Sequence, residues 1–452
     1  MKIIIVGCGK IGTTILTSLL NEGHDIMAVD TDPEVVASIS NMYDIMCVCG
    51  NGVDCDTLTE ADIEHADLFV ATTGSDELNM LSCFLAKRMG ARHTVARIRN
   101  PEYSDQSLGF MRHQLDISMA INPDRVTAQE IDNVLKFPTA TKVEYFFKRS
   151  FSMVEITVRE NSPLLDVPLH ELRKRYAAKF LICAVLRGDR VTIPDGNFTL
   201  KVGDRIELTA APNELQKLLR EIGILQKKAR SVMILGASRI GYYLAKSLIA
   251  GGNTVKIIEK DHRRCQEISE LLPQAIVLHG DGSQHELLLE EGISSMDAFV
   301  SLTGMDEENI LFSFFAHSQG VKKVITKVNR DDLIPIAARL GLDGTVSSKN
   351  VASGILCRYA RAIQNSLGSN METLYKLLDG KAEALEFRVQ DNFSKLDTPL
   401  KEMRLKHGLL ISGILRGRKP IIPSGTDVIQ KGDRVIVLAA DHTIHDLEDI
   451  LQ

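Results

Sequence analysis

The feature that most constrains the fold is an internal duplication. When the chain of 452 residues is aligned with itself at an offset of 229 or 230 residues, short motifs recur in the same order. The motifs recur as pairs of segments: 7–12 and 236–241, 50–52 and 280–282, 73–79 and 303–309, 186–188 and 415–417, 193–196 and 422–425, and 203–205 and 432–434. Recurrence at a fixed offset is the signature of a repeated structural unit. The chain therefore consists of two similar halves, which meet near residues 228–230.

Each half contains two unlike parts, so that four parts follow one another in the order A, B, A, B. We place them at residues 1–136, 137–226, 230–366 and 367–452. Each A part alternates short apolar strands with helices, which is the pattern of a parallel sheet covered by helices on both faces. Each B part is shorter, and Pro and Gly turns separate its strand-like segments. The expected fold class is α/β, with two Rossmann-like parallel-sheet domains that are each followed by a small α+β domain.

An apolar-faced helix is expected at the end of each A part, over residues 124–135 and 349–366. In the second of these helices, apolar side chains recur at helical spacing, as at Val351, Ile355 and Leu356. Such a helix can pack on its own sheet, or it can cross to a partner and dimerise. The spacing alone fits both arrangements.

Composition excludes several classes of protein. The chain has 53 basic and 59 acidic residues, a net charge of −6, so it lacks the basic surface of a nucleic-acid-binding protein and we expect no such partner. No apolar run approaches the ~18 residues of a membrane-spanning helix, and Met1-Lys2 leads straight into a strand, which predicts no signal peptide. The scattered cysteines are typical of reduced cytosolic thiols. The cluster of Cys47, Cys49 and Cys55 fits no common metal-site spacing.

The first A part contains a dinucleotide-binding fingerprint, Gly7-Cys8-Gly9-Lys10-Ile11-Gly12, between a strand and a helix. Gly7 permits a tight turn, Gly9 lets the backbone approach a pyrophosphate, and Gly12 lets the helix pack close to the sheet. Free N–H groups at the start of the helix favour the phosphate charge. Asp30 ends the second strand, where a carboxylate binds ribose hydroxyls and repels a 2′-phosphate; NAD or an adenine nucleotide is therefore favoured over NADP. The alternative is that Asp30 caps the helix that follows it.

The second A part repeats this pattern with one departure. Gly236 and Gly241 remain, and Glu259 supplies the ribose acceptor, but Ser238 stands at the position of Gly9. A serine side chain crowds a pyrophosphate unless its hydroxyl bonds to it. The second site therefore either binds a nucleotide or is retained only as part of the fold.

Further positions complete the two candidate sites. Basic side chains that can neutralise phosphates lie in the glycine loops and at the ends of the fifth strands: Lys10, Arg239, Arg97 and Lys327. For Lys10 the alternative is a solvated position on the first helical turn. Expected walls of the cofactor pocket are Thr73, Gly74, Thr303 and Gly304, and Asn51 and Asp281 are expected near the adenine. Ile11, Ile240 and Arg239 belong to the loops themselves.

The sequence contains no recognisable catalytic constellation. A dehydrogenase needs a part that positions a substrate against the nicotinamide, usually with an acid–base side chain and an arginine. Each A part is followed instead by a small strand-rich part with no obvious nucleophile–base pair. His442 and His445 have a spacing that can bind a metal, but a solvated surface position is expected for them. Duplicated binding parts without a catalytic part predict sensing rather than turnover, with no catalytic residue and no metal.

These motifs, taken in their order along the chain, resemble those of a known family. Its A-B-A-B order is similar to that of the TrkA family, the nucleotide-binding regulatory proteins of bacterial Trk potassium transporters, over essentially the whole chain. The A parts look like N-terminal lobes of RCK (regulator of potassium conductance) domains, and the B parts look like their C-terminal lobes. The motifs that carry the resemblance are segment 7–12 with Asp30, segment 96–101, segment 121–123, and the Ile-Pro and Gly-Asp-Arg motifs of each B part.

The resemblance implies a cytosolic ring, a dimer or tetramer of the chain, held on the inner face of the membrane by a potassium pore. It implies NAD(H) or ATP/ADP as ligands of the A parts, whose exchange opens or closes the pore. By position, Gly7, Gly9, Gly12 and Asp30 carry over to the first site, as do Lys10 and Arg97 as phosphate contacts, and Gly236, Gly241 and Glu259 to the second. Some relatives bind a cyclic dinucleotide at the C-terminal lobe, and no residue here decides that point.

Two other functions remain as alternatives. The first is an NAD-dependent oxidoreductase that uses one A part for its cofactor and an unrecognised substrate pocket. The second is an assembly scaffold in which both glycine loops are vestigial. The oxidoreductase would change nicotinamide absorbance saturably with some substrate, whereas in the scaffold Asp30→Ala would alter only local stability.

Overall fold

The computed structural model describes residues 1–103, 105–137, 140–147, 150–223, 229–365, 371–440, 444 and 446–452. His442 and His445 lie outside these residues. Six-stranded and five-stranded sheets alternate along the chain, in the order that the duplication predicts. The two six-stranded sheets are parallel and the two five-stranded sheets are antiparallel.

The two parallel sheets have the same strand order, β3-β2-β1-β4-β5-β6 and β14-β13-β12-β15-β16-β17. Their central strands are runs of Ile, Val, Leu and Met that are buried on both faces, as expected for a sheet covered by helices. In the first A part the strands are β1 Lys2–Val6, β2 Asp25–Asp30, β3 Met46–Cys49, β4 Leu68–Ala71, β5 His93–Arg97 and β6 Met119–Ile121. In the second they are β12 Ser231–Leu235, β13 Thr254–Glu259, β14 Ile276–His279, β15 Ala298–Ser301, β16 Lys323–Lys327 and β17 Thr345–Val346.

Helices connect these strands and cover both faces of each sheet. In the first A part they are α1 Lys10–Leu20, α2 Pro33–Met42, α3 Cys55–Glu60, α4 Asp76–Arg88, α5 Asp105–Gln114 and α6 Pro123–Lys136. In the second they are α9 Arg239–Ala250, α10 His262–Leu271, α11 His285–Glu290, α12 Asp306–Ser318, α13 Ile334–Arg339 and α14 Ser348–Asn365. Short 3-10 turns cover Ile63–His65, Ile293–Ser295 and Asp331–Leu333.

Each B part is built on an antiparallel sheet, in the order β10-β9-β11-β8-β7 and β18-β19-β22-β20-β21. The first contains β7 Lys142–Phe146, β8 Phe151–Thr157, α7 Leu169–Arg175, β9 Phe180–Arg187, β10 Arg190–Thr192, β11 Arg205–Ala210 and α8 Pro212–Glu221. The second contains β18 Met371–Leu377, β19 Ala382–Arg388, β20 Leu409–Arg416, β21 Lys419–Ile421 and β22 Arg434–Ala440, with 3-10 turns at Leu378–Gly380, Leu400–Glu402 and Leu447–Ile450.

The helices that close the two A parts are exchanged between the halves. Ile131, Val134 and Leu135 of α6 are buried in the core of the second A part, where α6 packs on α9. Reciprocally, Leu356 and Ile363 of α14 are buried in the core of the first A part, where α14 packs on α1. The crossing arrangement is therefore the correct alternative of the two, and the partner that it reaches is the other half of the same chain.

The two B parts also pack against each other. Their contact buries Phe146, Phe151 and Met153 of the first sheet against Ala384 and Leu438 of the second. The backbone N–H of Phe147 donates to Glu386 Oε1 at 2.8 Å, and the hydroxyl of Tyr375 donates to the Tyr145 carbonyl at 3.0 Å. The halves are thus joined at two levels, by the exchanged helices and by the paired B-part sheets.

Candidate functional site

The candidate sites lie where the strand order reverses. In each A part the chain goes from the first strand outward in one direction and then returns to add the fourth strand on the other side, β1 beside β4 and β12 beside β15. Helices diverge at such a point and leave a crevice at the carboxyl ends of the strands, which is the usual ligand position in open parallel sheets. Both glycine loops, 7–12 and 236–241, begin at this point.

In the first loop the glycines are required for two different reasons. Gly7 has φ +87°, and a Cβ there would lie 2.6 Å from the Thr73 backbone nitrogen. A Cβ on Gly12 would lie 2.0 Å from the Gly7 carbonyl oxygen, so helix α1 can start this close to the loop only with glycine. Gly9 has no heavy atom within 4 Å of its Cβ position. Nothing in the fold itself therefore demands glycine at position 9, and its open face is available to a close-lying ligand.

Asp30 is held against the glycine loop at the end of β2. Its Oδ2 accepts a hydrogen bond from the Cys8 backbone N–H at 2.6 Å, and its Oδ1 accepts from the Asp32 N–H at 3.0 Å. The residue that caps α2 is Asp32, which accepts from the Glu34 N–H. The interpretation of Asp30 as that helix cap is therefore wrong. Each of its oxygens keeps a second lone pair for a further donor such as a ribose hydroxyl.

The second site reproduces this geometry around Glu259. Its Oε2 accepts from the Ala237 N–H at 2.6 Å and its Oε1 from the Asp261 N–H at 2.9 Å. Gly236 has φ +97°, as Gly7 does in the first loop. Ser238 caps helix α9, because its Oγ accepts from the Gly241 N–H at 3.3 Å. In this structure the serine hydroxyl thus occupies a backbone donor that the first loop leaves open.

The expected walls of the two pockets are braced by an asparagine on the following helix. The Thr73 N–H and hydroxyl both donate to Asn79 Oδ1, and Asn79 Nδ2 donates to the Arg97 carbonyl at 2.9 Å. Thr303, Asn309 and Lys327 repeat the same bonds in the second A part. Gly74 is exposed at the rim, and its carbonyl accepts from Arg99 at 2.9 Å. Each asparagine therefore holds the ends of two neighbouring strands together below the crevice.

Arg97 and Lys327, at the ends of β5 and β16, are buried. Arg97 donates to the Thr72 carbonyl at 3.3 Å, while its Nε is buried without a hydrogen-bond partner. Lys327 donates to the Thr303 carbonyl. Burial lowers the pKa of Arg97 and the pKa of Lys327, because it disfavours the charged form of each. A buried guanidinium that lacks one of its bonds is stabilised by an anion in the crevice.

One carboxylate links the cationic residues of the two halves. Asp124 lies in the first turn of the exchanged helix α6. Burial raises the pKa of Asp124, and the charges that act against this rise come from four basic residues of both A parts, Arg239, Arg99, Arg97 and Lys327. Asp124 therefore lies within the electrostatic influence of basic residues from both candidate sites.

The remaining candidates lie at the surface of the crevices. Lys10 and Arg239 are the exposed first residues of α1 and α9. Ile11 is half-buried and Ile240 is buried behind the loops. Asn51 is exposed after β3, and its Oδ1 accepts from the Val53 N–H at 3.2 Å.

Asp281 differs from Asn51, which occupies its place in the first half. Lys260 Nζ lies 2.6 Å from Asp281 Oδ2, and this bond, with further bonds from Ser283, lowers the pKa of Asp281 to about 2. The carboxylate is thus committed to an ion pair at the rim of the second crevice, where Lys260 follows Glu259 directly.

Several residues of the crevices escape the sequence argument. Asn79, Asn309, Arg99 and Arg264 are not among the site residues that the sequence predicts, although the asparagines lie in a recurring segment and Arg99 lies in segment 96–101. Arg264 Nε donates to the Ala237 carbonyl of the second loop at 2.8 Å. Recurrence was the available signal for the asparagines. For Arg264 the signal is instead a difference between the halves, because its counterpart in the first half is Val35.

Across the described residues, no group of three or more His, Cys, Asp or Glu side chains is arranged to hold a metal ion. The cysteines are all unpaired, and Cys47, Cys49 and Cys55 do not form such a group. In the same part of the chain, no helix is both long enough and apolar enough to cross a bilayer.

Family models match both kinds of part twice. The TrkA-N domain model matches residues 3–123 and 232–348, and the TrkA-C domain model matches residues 153–223 and 385–452. The chain belongs to the TrkA family. The family match follows the A-B-A-B order of the four sheets, so the resemblance noted from the motifs is confirmed.

Curated TrkA relatives match over the full length. The Trk system potassium uptake protein TrkA homolog 1 of Methanosarcina mazei is 30% identical over 456 residues, with 99% of each chain covered. The TrkA protein of Haemophilus influenzae is 30% identical over 459 residues, covering 100% of this chain and 99% of its own.

Among solved structures, the GsuK RCK domain superposes with a TM-score of 0.64 at 17% identity, covering 97% of this chain and 92% of that chain. The GsuK channel bound to NAD gives the same TM-score and covers 97% and 77%. GsuK bound to ADP gives 0.52 at 14% identity, covering 81% and 69%. The predicted fold class, two Rossmann-like domains each followed by a small RCK C-terminal lobe, is confirmed.

Proposed function

We propose that this protein is the regulatory subunit of a Trk-type potassium transporter, and that it binds NAD(H) or ATP/ADP in its two A parts and thereby gates the membrane pore. The observation that carries the proposal is the placement of Asp30 and Glu259. Each carboxylate is fixed on its glycine loop by one backbone N–H, and its oxygens keep lone pairs that can accept from ribose hydroxyls. The family membership and the NAD- and ADP-bound GsuK structures support the choice of ligand.

The fold offers a route from ligand to pore. A nucleotide shifts a conformational equilibrium only by its differential affinity for the two states, and a coupling of ~1–3 kcal/mol changes affinity by about 5–150-fold. Helices α1 and α9 begin at the two glycine loops, and each carries an exchanged helix from the other half. A ligand that moves the start of α1 therefore acts on α14 directly.

The proposal places the protein in the cytoplasm, on the inner face of the membrane through the transporter subunit, where it self-associates as a dimer or tetramer. It assigns binding without turnover to the A parts, whose boundaries we retain at 1–136 and 230–366, with B parts at 137–226 and 367–452. The negative net charge fits docking on basic cytoplasmic loops of a membrane protein.

Calorimetric titration with NADH, NADPH, ATP and ADP tests the proposal. We expect NADH or an adenine nucleotide to bind, NADPH to bind more weakly, and Asp30→Ala to weaken binding by about tenfold or more, since a charged ribose acceptor contributes roughly 1.5–3 kcal/mol. Potassium flux through the reconstituted transporter must then respond to the same nucleotide. Absence of any binding at millimolar ligand contradicts the proposal and favours the scaffold, and substrate-dependent oxidation of NADH favours the oxidoreductase.

A further inference from the structure

The two candidate sites differ in charge just beyond the ribose-binding acid. In the first half, residues 30–35 contain Asp30, Asp32 and Glu34 and no basic residue. In the second half, the equivalent residues 259–264 contain two acids and three bases. The duplication brings this difference to the same place in the fold, the end of the second strand and the first turn of the following helix.

One of the added bases rests on the second glycine loop. Arg264 Nε donates to the Ala237 carbonyl at 2.8 Å, and its other side reaches Glu267 at 2.8 Å. The equivalent residue of the first half, Val35, packs against the core of the first A part. In the second site a guanidinium therefore contacts the glycine loop, at the place where an aliphatic side chain lies in the first.

A second added base reverses the charge of its counterpart. Arg263 is exposed on the first turn of α10, where Glu34 is exposed on the first turn of α2. The third, Lys260, is paired with Asp281, so it offsets a carboxylate that the first half does not have. Over residues 259–264 and 281, three bases balance three acids, whereas residues 30–35 and 51 include three acids and no base.

The two glycine loops also differ in the number of backbone donors that they offer to a phosphate. At Gly9 the first loop leaves an open backbone face on which a pyrophosphate can lie directly. In the second loop, the Ser238 hydroxyl accepts the Gly241 N–H, so a phosphate there finds one backbone donor fewer. Side-chain cations can replace the missing donor, and a guanidinium does so with charge-assisted bonds.

We propose that the two sites divide the ligands between them: the first site binds the dinucleotide NAD(H), and the second binds a nucleoside di- or triphosphate, ADP or ATP. The pyrophosphate of a dinucleotide is esterified on both sides, whereas ADP and ATP end in a phosphate with further ionised oxygens. The acidic rim and open backbone of the first site suit the less charged ligand. The charge-balanced rim of the second site, with its added arginines, suits the more charged one. This inference rests on the proposed function and names the ligand of each of its sites.

The test measures NADH and ADP binding, singly and together, by calorimetry on the full-length chain at low salt. We expect one NADH and one ADP to bind per chain without competing. Arg263→Glu, which restores the charge found at Glu34, should lower the ADP affinity about tenfold, an effect that rising salt screens. The reciprocal Glu34→Arg should raise ADP affinity at the first site and allow a second ADP to bind.

Arg418→Glu is the matched control, because it makes the same charge change on an exposed turn of the second B part. If Arg418→Glu weakens ADP as much as Arg263→Glu does, net charge and not the rim sets the affinity, and the inference is overturned. It is also overturned if NADH and ADP compete for the same two sites with equal stoichiometry, an outcome that leaves the proposed function intact. If no nucleotide binds to the folded wild-type chain, the inference and the proposed function fail together.

Discussion

Arg187 and Asp204 of the first B part form an ion pair that recurs as Arg416 and Asp433 in the second. The aspartates are 1% and 2% exposed, and each accepts hydrogen bonds from both Nε and Nη2 of its arginine. Asp204 also accepts from the Lys201 N–H at 2.9 Å. The recurring Leu-Arg-Gly and Gly-Asp-Arg motifs therefore supply an ion pair that joins the end of one strand to the turn before its neighbour. Their recurrence is explained by the stability that this ion pair gives to each B part.

We predict that Arg187→Ala destabilises the first B part by about 2 kcal/mol, because it leaves a buried carboxylate without its guanidinium. Burial raises the pKa of Asp204, but the bonds from Arg187 and Lys201 outweigh it, so the pKa lies below the ordinary value of 3.8. The stability from this pair is present above that value and is lost as the pH falls through the lowered pKa.

Urea unfolding at a series of acidic pH values measures this effect. The wild type should exceed the variant in free energy of unfolding by the full amount above pH 3.8, and this difference should shrink as the pH falls through the lowered pKa of Asp204. Arg416→Ala is the matched variant in the second half. Equal acid profiles for wild type and Arg187→Ala would refute this role for the pair.

Glu207 is a buried carboxylate with the opposite behaviour. It is 1% exposed, its Oε1 has no hydrogen-bond partner, and it lies directly opposite Glu155 across β8 and β11. Burial raises the pKa of Glu207 well above 4.5, and the charge of Glu155 raises it further, against Lys142 and Arg205. Its cost to stability therefore appears as the pH rises above 4.5 and grows until the group ionises in the folded state.

We predict that Glu207→Gln raises the free energy of unfolding at about pH 9 by roughly 1–2 kcal/mol and changes it less at about pH 5, because the amide cannot ionise. The equivalent position in the second half is Ile436, so Glu207→Ile is an apolar comparison. Thermal unfolding at the two pH values checks this prediction. A stabilisation of the same size at both would mean that ionisation is not the cause.

At the scale of elements, the exchanged helices predict that a substitution in one half of the sequence destabilises the A part of the other half. Leu356 of α14 is fully buried in the core of the first A part, and Ile131 of α6 is buried in the core of the second. Leu356→Ala should cost about 2–5 kcal/mol through the cavity that it leaves. The loss should be felt in the first A part, although the substitution lies in the second half of the sequence.

Amide hydrogen exchange resolves the location. In Leu356→Ala, peptides from β1 and α1 should exchange faster, while Ile131→Ala should accelerate exchange in β12 and α9. Faster exchange in each helix's own half would show that the helices are not exchanged in solution.

Much of this architecture follows from local patterns. The alternation of apolar strands and helices that the sequence predicts for each A part is present, as at β1 and β2, because a strand buried on both faces is a short apolar run. The position of Asp30 follows from its distance to the glycine loop. The sequence does not predict which sheet α6 and α14 pack against. An apolar stripe shows that one face of a helix is buried, but it does not show which element buries it. The pairing of Asp281 with Lys260 and the seat of Arg264 on its loop depend on packing between distant segments.

At the scale of the whole molecule, the exchange predicts what half a chain will do. Residues 1–226 alone lack α14, so the face of α1 that α14 covers would be exposed. Helix α6 can cover it in a second copy, as α14 does here, and we expect this fragment to form a dimer at micromolar concentration. Light scattering after size exclusion measures the mass. A well-folded monomer would contradict the prediction, and Ile131→Glu should abolish the dimer.

The exchange of α6 and α14 within one chain also frees the two halves to diverge. In a dimer of identical subunits, every substitution at the pairing surface occurs in both subunits. A charged side chain near the symmetry axis then lies opposite the same charge in the other subunit. Here each position mutates alone. Asp124 is the second residue of α6, whereas Lys349 is the second residue of α14. Glu207 occupies the position that Ile436 occupies in the other half. Fusion thus turns a symmetric assembly into one whose two sides can acquire separate properties.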